Sequence, residues 1–271
     1  MKCKLCKTDK KELTLVVVSD IHLGHINCDK EILKNVIEWI KTHDCIWIGL
    51  GDYGDCIIHT DPRFNHDSID KNFDTAQKQF REIKRYFKPI ASKCIGLLDG
   101  NHDYNLMKKA DHNYVEELAE DLNVDYLTMD AYIRIQFTKF DNFNIYAHHG
   151  WSGARTAGAR VSRIYDLYSI FPMLDLYIMG HTHALGLVEK KTSLYIDGWI
   201  KEGQNEKDII HDKISHFLWS GSFLKGYTMG TMGYVEEKTY QPSTLGSPIL
   251  KIIPHKGKYT VNFQIEYSEV R

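Results

Sequence analysis

Five short segments of the sequence combine carboxylate, imidazole or amide side chains with a neighbouring glycine. They read DIHLG at 20–24, GDYGD at 51–55, GNHD at 100–103, HHG at 148–150 and GHTH at 180–183. Each lies at the end of an apolar run that has the length of a buried strand. Because α/β folds bind ligands at the carboxyl ends of strands, we expect these polar side chains to converge on one crevice.

The side chains in these segments offer oxygen and imidazole nitrogen donors and no thiolate, a set that suits Mn, Fe, Zn or a similar divalent metal. Seven donors are too many for one ion, but two ions about 3.5–4 Å apart and bridged by a carboxylate would use them all. We expect two divalent ions with Mn as the first choice, and Fe, Zn, Ni and Mg as alternatives. The candidate ligands are Asp20, His22, Asp52, Asn101, one of His148 and His149, His181 and His183.

Together the five segments resemble the motif series of the calcineurin-like metallophosphoesterase superfamily, D-x-H, G-D-x-x-D, G-N-H-D/E, H-G and G-H-x-H, in the same order. The resemblance spans Asp20 to His183 and is closest to compact phosphodiesterases and to nuclease-like proteins of phages and prokaryotes. It implies an α/β fold, a four-layer α/β/β/α sandwich with two mixed β-sheets flanked by helices.

The resemblance also implies a role for each ligand. Asp20, His22 and His183 would hold the first metal, and Asp52 would bridge. Asn101, His181 and the histidine of the fourth motif would hold the second. That histidine directly precedes a glycine in the family, which selects His149.

Alternation of side chains along a strand points His148 and His149 in opposite directions. The sequence therefore predicts His149 as the ligand and leaves His148 as the alternative.

The resemblance further implies that His102 stays off the metals and protonates the leaving oxygen of the substrate. Asp103 would hydrogen-bond its imidazole and raise its pKa, which makes these two residues the expected catalytic pair. Asp55 would support a metal ligand, with a simple turn carboxylate as the alternative.

Five residues near the motifs are candidate substrate contacts. Arg155 and Arg160 lie in a glycine-rich stretch after the fourth motif and could grip a phosphate; solvated loop arginines are the alternative. Trp151 and Tyr53 could stack on a base or simply wall the pocket. His25, just after the first motif, could touch a substrate phosphate.

Strand-like and helix-like runs alternate in the first half of the chain, which favours a largely parallel sheet covered by helices. The helical patterns cover 29–41, 73–87, 114–122 and about 160–171. The last eighty residues are rich in strand-like runs, which favours mixed sheets. Residues 198–212 are polar and aperiodic and predict a surface loop.

At 271 residues, 43% apolar and with a formal net charge of −2, the chain is expected to fold as a single domain, 1–271, with 1–12 a loosely ordered extension. It shows no signal-peptide core and no membrane-spanning run, so we expect a cytoplasmic protein with no membrane partner. Buried free thiols are expected, and Cys3 and Cys6 lack the second half of a zinc site.

These observations predict a metal-dependent phosphoesterase, foremost a phosphodiesterase that acts on nucleic acid or a nucleotide. A phosphomonoesterase would use the same residues, and a non-catalytic binding scaffold on the same fold is the third reading. The partner is thus a phosphoester substrate; the sequence does not specify the oligomeric state.

Overall fold

A computed structural model describes residues 1–61, 63–138, 141–151, 156–196, 210–228, 236, 242, 244–256 and 261–271. Its strands are β1 (Lys2–Lys7), β2 (Leu13–Val18), β3 (Ile46–Gly49), β4 (Cys94–Leu98), β5 (Tyr126–Thr128), β6 (Asp130–Gln136), β7 (Asn142–His148), β8 (Leu176–Met179), β9 (Leu185–Ile196), β10 (Ile210–Ser220), β11 (Ser247–Lys256) and β12 (Val261–Val270). Its α-helices are α1 (Lys30–Thr42), α2 (Ala76–Phe87), α3 (Asn101–Ala110), α4 (Tyr114–Leu122) and α5 (Ala157–Ile170). Short 3-10 helices cover His66–Ser68 and Lys88–Lys93.

The strands form two mixed six-stranded sheets. One has the order β1-β6-β7-β8-β10-β9 and the other the order β12-β11-β2-β3-β4-β5. In the second sheet β2, β3, β4 and β5 pair in parallel, while β11 and β12 are antiparallel. The expected strand–helix alternation of the first half and the strand-rich second half are both confirmed.

Three hydrophobic clusters show how the layers stack. Residues of β2, β3, α1, α2 and α4 share the first cluster, on the outer face of the second sheet. The inner faces of the two sheets enclose the second cluster. The outer face of the first sheet packs against α5 in the third. The α/β/β/α sandwich expected from the sequence is therefore confirmed.

Strand β2 shows why an unbroken apolar run forms this structure. Leu15 and Val17 point into the cluster between the sheets, and Val16 and Val18 point to the helices. All four are fully buried. A strand covered on both faces needs apolar residues at every position, which is the pattern of LTLVVV.

Helix α1 covers this sheet from outside. Its N-cap, Asp29, accepts hydrogen bonds from the backbone N–H groups of Glu31 and Ile32, each at 3.1 Å, which satisfies donors that the first turn leaves free. Its buried positions, Leu33, Val36, Ile37 and Ile40, follow the helical period of the sequence.

Three sequence expectations about local structure need correction. Residues 1–12 are not simply a loose extension, because Lys2–Lys7 pairs in parallel with β6 along its whole length. Residues 101–110, which carried no helical prediction, form α3. Residues 210–212 begin β10 instead of ending a loop; residues 198–209 lie outside the described part. Among the described residues, no helix combines the length and apolar character needed to cross a bilayer.

Candidate metal centre

The loops that follow β2 and β3 run side by side and carry the first polar residues of the site. The backbone N–H of Asp20 donates to the carbonyl of Gly51, and that of His22 donates to the carbonyl of Asp52, both at 3.0 Å. These bonds extend the parallel pairing of the two strands beyond their ends. The side chains of both loops are thereby fixed at one edge of the sheet.

Backbone strain is concentrated in these loops. Five of the predicted metal ligands adopt φ between 50° and 61°, in the left-handed region: Asp20, His22, Asp52, His181 and His183. Such a conformation costs of order 1–3 kcal/mol per residue and persists only where the surrounding structure imposes it. These strained ligands lie where the polar side chains converge.

One group of three side chains brings together Asp20, His22 and His183, with ligand atoms within 4.8 Å of one another. Nε2 of His183 lies 3.2 Å from Nε2 of His22 and 3.4 Å from Oδ1 of Asp20. Asp20 is fully buried, and its carboxylate accepts from the backbone N–H of His181. Two imidazole nitrogens and one carboxylate oxygen thus face a common point.

A second group brings together Asp52, His149 and His181. Nε2 of His149 lies 3.3 Å from Oδ2 of Asp52. Oδ1 of Asn101 lies 3.0 Å from Nε2 of His149 and 2.6 Å from Nδ1 of His181. With the amide turned by 180°, its nitrogen would donate to the same atoms. The amide can therefore close the site without a cation or present its oxygen to one.

Asp52 stands between the two groups. Its Oδ2 lies 3.8 Å from Nε2 of His22 and 3.3 Å from Nε2 of His149. Its Oδ1 accepts from the backbone N–H of His102 at 2.8 Å, which fixes the carboxylate plane. Asp52 is therefore placed to serve both groups.

The two neighbouring histidines of the fourth motif face different surroundings. His149 is fully buried, and its Nδ1 donates to the carbonyl of Leu50 at 2.6 Å, so Nε2 is left to face Asp52. Nδ1 of His148 accepts from the backbone N–H of Gly150 at 2.7 Å, and its ring packs edge-on against Trp151. The structure thus places His149 in the site and His148 outside it.

The protonation of His149 reflects the charges around it. Burial lowers its pKa, but the negative charge of Asp52 and then that of Asp20 outweigh burial and raise the pKa to about 10. For Asp52 the signs are reversed: burial raises the pKa of the carboxyl, but the histidines around it, foremost His149, hold that pKa well below its usual range. Without a cation, the carboxylates of the site therefore hold a proton on His149.

The fit of these residues to divalent metal ions rests on their atoms and chemistry. Oxygen and imidazole donors with no thiolate form two groups of three, and Oδ2 of Asp52 in the second group lies 3.8 Å from Nε2 of His22 in the first. The residues present therefore fit divalent metal ions.

His102 lies beside the two groups, but its orientation corrects the sequence expectation. Its Nδ1 donates to the backbone carbonyl of Asp55 at 2.6 Å. The carboxylate of Asp103 instead accepts from the backbone N–H groups of Asp52 at 2.7 Å and Gly100 at 3.0 Å. Burial lowers the pKa of His102 where a rise was expected. Asp103 is thus a support for the metal loops and not the partner of His102.

Asp55 has a second contact through its side chain. Its Oδ1 lies 3.4 Å from Nδ1 of His22. The side chain of Asp55 therefore backs a predicted ligand, as the sequence reading proposed, while its carbonyl holds His102.

The residues predicted to contact substrate are distributed differently. Tyr53 is fully buried, with its ring edge-on to Phe87, so the expectation that it stacks on a base is wrong. Trp151 is partly buried against His148. Arg160 lies in α5, and Arg155 lies outside the described residues.

His25 is 6% exposed, and its Nδ1 accepts from the backbone N–H of Asn27 at 3.0 Å. A side chain this buried leaves little surface for the predicted contact with a substrate phosphate.

Sequence reasoning missed two contributions to the site. Arg63 donates from Nη1 to Nε2 of His102 at 3.0 Å. The carbonyl of Asp20 accepts from the hydroxyl of Ser222 and the backbone N–H of Phe223, each at 3.0 Å. None of these three residues lies in a motif, and no local pattern distinguishes them from ordinary loop residues.

Comparisons with known proteins add distant similarities only. No protein-family profile and no curated protein sequence matches the chain. Among solved structures, it is similar to vacuolar protein sorting 29 from Cryptosporidium parvum, with 14% identity over 96% of this chain and 100% of that one and a TM-score of 0.38.

Two further solved structures show likenesses of the same kind. A double mutant of Vps29 from Entamoeba histolytica shows 11% identity over 96% and 100% of the two chains, with a TM-score of 0.44. A predicted phosphoesterase from Streptococcus pneumoniae shows 11% identity over 96% and 99%, with a TM-score of 0.37. Sequence identities and TM-scores this low say nothing about the activity of the chain.

Proposed function

We propose that this protein is a phosphoester hydrolase that uses two divalent metal ions, and that its substrates are phosphodiesters of nucleic acids or nucleotides. The observation that carries the proposal is the pair of ligand groups, Asp20–His22–His183 and Asp52–His149–His181, with Oδ2 of Asp52 also 3.8 Å from Nε2 of His22. The imidazole of His102 lies beside them, in a third possible group with His22 and Asp55. The motif resemblance supports the same reaction class.

The proposed ligands divide as the two groups do. Asp20, His22 and His183 would hold one ion, Asn101, His149 and His181 the other, and Asp52 would contact both. When bound, the two ions supply Lewis acidity and a water of lowered pKa for in-line attack at phosphorus. Manganese remains the proposed metal.

The chain itself contributes orientation and a proton path. Asp52 is held by the backbone of His102, and the strained loops keep the ligands in place before a substrate arrives. Nε2 of His102 carries the lone pair of the neutral ring and must first take up a proton from solvent. As the bond from phosphorus to the leaving oxygen breaks and the bond to the water oxygen forms, Nε2 passes that proton to the leaving oxygen. No covalent nucleophile from the protein is required.

The test uses purified protein with Mn²⁺ and three substrates: bis-p-nitrophenyl phosphate, p-nitrophenyl phosphate and a labelled single-stranded DNA. Cleavage of the diester and the strand, lost in Asp52→Asn, is the expected result. The Asp52 variant removes the shared ligand, so a loss of about 10³-fold is expected if metal chemistry supplies several kcal/mol.

Other outcomes redirect the proposal. Cleavage of the monoester alone would make the protein a phosphomonoesterase. No cleavage with Mn²⁺, Fe²⁺, Zn²⁺, Ni²⁺ or Mg²⁺ would overturn the enzymatic assignment and turn attention to a binding scaffold. Activity that survives in Asp52→Asn would indicate a contaminating enzyme.

A further inference from the structure

A cationic cluster lies next to His102 and is not used by the proposed chemistry. Arg63 holds Asp61 with two parallel hydrogen bonds, from Nε to Oδ1 and from Nη2 to Oδ2, both at 3.0 Å. Its remaining terminal nitrogen, Nη1, donates to Nε2 of His102 at 3.0 Å. Two arms of the guanidinium are thus occupied by a carboxylate, and the third points into the site.

Lys109 completes the cluster. Its Nζ donates to Oδ2 of Asp61 at 2.9 Å. The Asp61 side chain is only 6% exposed, whereas those of Arg63 and Lys109 are 36% and 34% exposed. The hydrogen bonds of Arg63 hold the pKa of Asp61 well below its usual range, so the carboxyl is ionised. One buried negative charge therefore anchors two positive charges that face solvent.

Helix α3 sets the direction in which the cluster extends. The helix begins at Asn101, a proposed ligand, and His102 and Lys109 lie seven residues apart on the same face. That spacing corresponds to about 10 Å along the helix axis. The cationic groups therefore run from His102 away from the metal centre.

The tautomer of His102 shows which ring nitrogen faces the substrate. Because Nδ1 donates to the carbonyl of Asp55, Nε2 is the atom that meets the substrate, and in the proposed reaction it meets the leaving oxygen. Nη1 of Arg63 occupies the space directly beyond that atom. The next part of the leaving group must pass the cluster.

From this arrangement we propose that Arg63 and Lys109 form a subsite for a phosphate carried by the leaving group. The preferred substrate is then an oligonucleotide whose leaving portion carries a further phosphate. The proposal rests on the proposed function, since it uses His102 to define the leaving-group side. A guanidinium or ammonium donates stronger hydrogen bonds to phosphate than to the neutral imidazole that Arg63 now contacts.

The kinetic test compares the dinucleotide dTpdT with pdTpdT and dTpdTp, which carry one terminal phosphate each. Whichever ester bond breaks, one of these two has its extra phosphate on the leaving group. Chromatography of the products identifies the bond and the rate. We expect kcat/KM for that substrate to exceed kcat/KM for dTpdT at least about tenfold, as one charged hydrogen bond allows.

Variants assign the gain to the cluster. Arg63→Gln should remove most of it, Arg63→Lys should retain part of it, and Lys109→Ala should reduce it. The measure is the ratio of kcat/KM between the phosphorylated substrate and dTpdT, which a general loss through the contact of Arg63 with His102 leaves unchanged. Lys108→Ala is the matched control, because Lys108 lies on the same turn but over the ring of Tyr104. Equal rates on all three dinucleotides, or a gain that survives in Arg63→Gln, would overturn the proposal.

A binding measurement separates this proposal from the proposed function. Calorimetry of the Mn²⁺-loaded protein compares thymidine 3′,5′-bisphosphate with the 5′- and 3′-monophosphates. Tighter binding of the bisphosphate by about tenfold, lost in Arg63→Gln, supports the subsite even if no ester is cleaved. Equal affinities would contradict it. Unchanged Mn²⁺ stoichiometry and thermal midpoint in each variant exclude a folding defect.

Discussion

The backbone carbonyl of Asp55 accepts a hydrogen bond from Nδ1 of His102 at 2.6 Å. A carbonyl can only accept, so the proton lies on Nδ1 and the lone pair of the neutral ring lies on Nε2. The position of His102 is therefore set by a main-chain group, which no side-chain substitution at position 55 removes. A substitution at position 55 therefore changes the contact of the carboxylate with His22 and leaves the contact of the carbonyl with His102 in place.

Replacing His102 tests its role as the proton donor. We expect His102→Gln to lower kcat on dTpdT by about 10²–10⁴-fold, the usual contribution of general acid catalysis. The loss on bis-p-nitrophenyl phosphate should be much smaller, because nitrophenolate leaves without a proton. His148→Gln is the matched control, since that ring is next in sequence to the predicted ligand His149 but lies outside the site. Equal losses on both substrates would contradict the assignment.

Replacing Asp55 by Asn tests the support of His22. The substitution keeps the carbonyl that holds His102 but removes the carboxylate 3.4 Å from Nδ1 of His22. Loss of such a partner of a metal-bound histidine costs about 10–100-fold in metal affinity or activity. We expect Mn²⁺ affinity to fall within that range by calorimetry, and excess Mn²⁺ to restore the rate. A lower rate with unchanged affinity would place the carboxylate in the chemical step.

Metal binding should release a proton from His149. Its pKa of about 10 in the absence of a cation means that the imidazole is protonated at neutral pH, and a metal must displace that proton. Affinity at that ion should therefore rise about tenfold per pH unit between about pH 6.5 and about pH 8.5. Calorimetry in buffers of different ionisation enthalpy counts the protons. Affinity that stays constant across this window would show that Nε2 is not a ligand.

Substitution of Tyr53 tests whether its buried side chain contacts substrate. Tyr53→Phe keeps the ring that packs on Phe87, so KM and kcat should stay within about twofold of wild type if the side chain never meets substrate. Tyr53→Ala should instead lower the free energy of unfolding by about 3–5 kcal/mol, as for other large buried aromatics. Denaturant unfolding and steady-state kinetics measure the two effects. A raised KM in Tyr53→Phe would restore the stacking hypothesis.

The ligand groups could be predicted because each motif sits where a buried strand ends, and sheet geometry then forces the strand ends together. The alternation of strand-like and helix-like runs predicted parallel strands covered by helices, whereas the four-layer sandwich was implied by the motif resemblance. The sequence could not predict the hydrogen-bond partners of Asp103. A carboxylate next to a histidine can accept from the imidazole or from nearby backbone N–H groups, and here it accepts from those of Gly100 and Asp52.

The positions of the Arg63 and Tyr53 side chains could not be predicted from the sequence either. Arg63 reaches His102 only because the loop after the second motif folds back onto α3, a contact between residues 39 apart in the chain. The position of Tyr53 within a motif does not show that its side chain turns inward, away from Asp52. Strand alternation no longer applies in a loop where residues adopt positive φ.

The contact of Asp20 with Ser222 and Phe223 has a consequence for biosynthesis. The carbonyl of Asp20 is held by a loop more than 200 positions later, so a nascent chain that has exposed all five motifs still lacks two of the hydrogen bonds that position Asp20. Since synthesis proceeds at about 5–20 residues per second, the ligands spend seconds near the ribosome without that restraint. Metal acquisition is accordingly expected to follow the emergence of this loop.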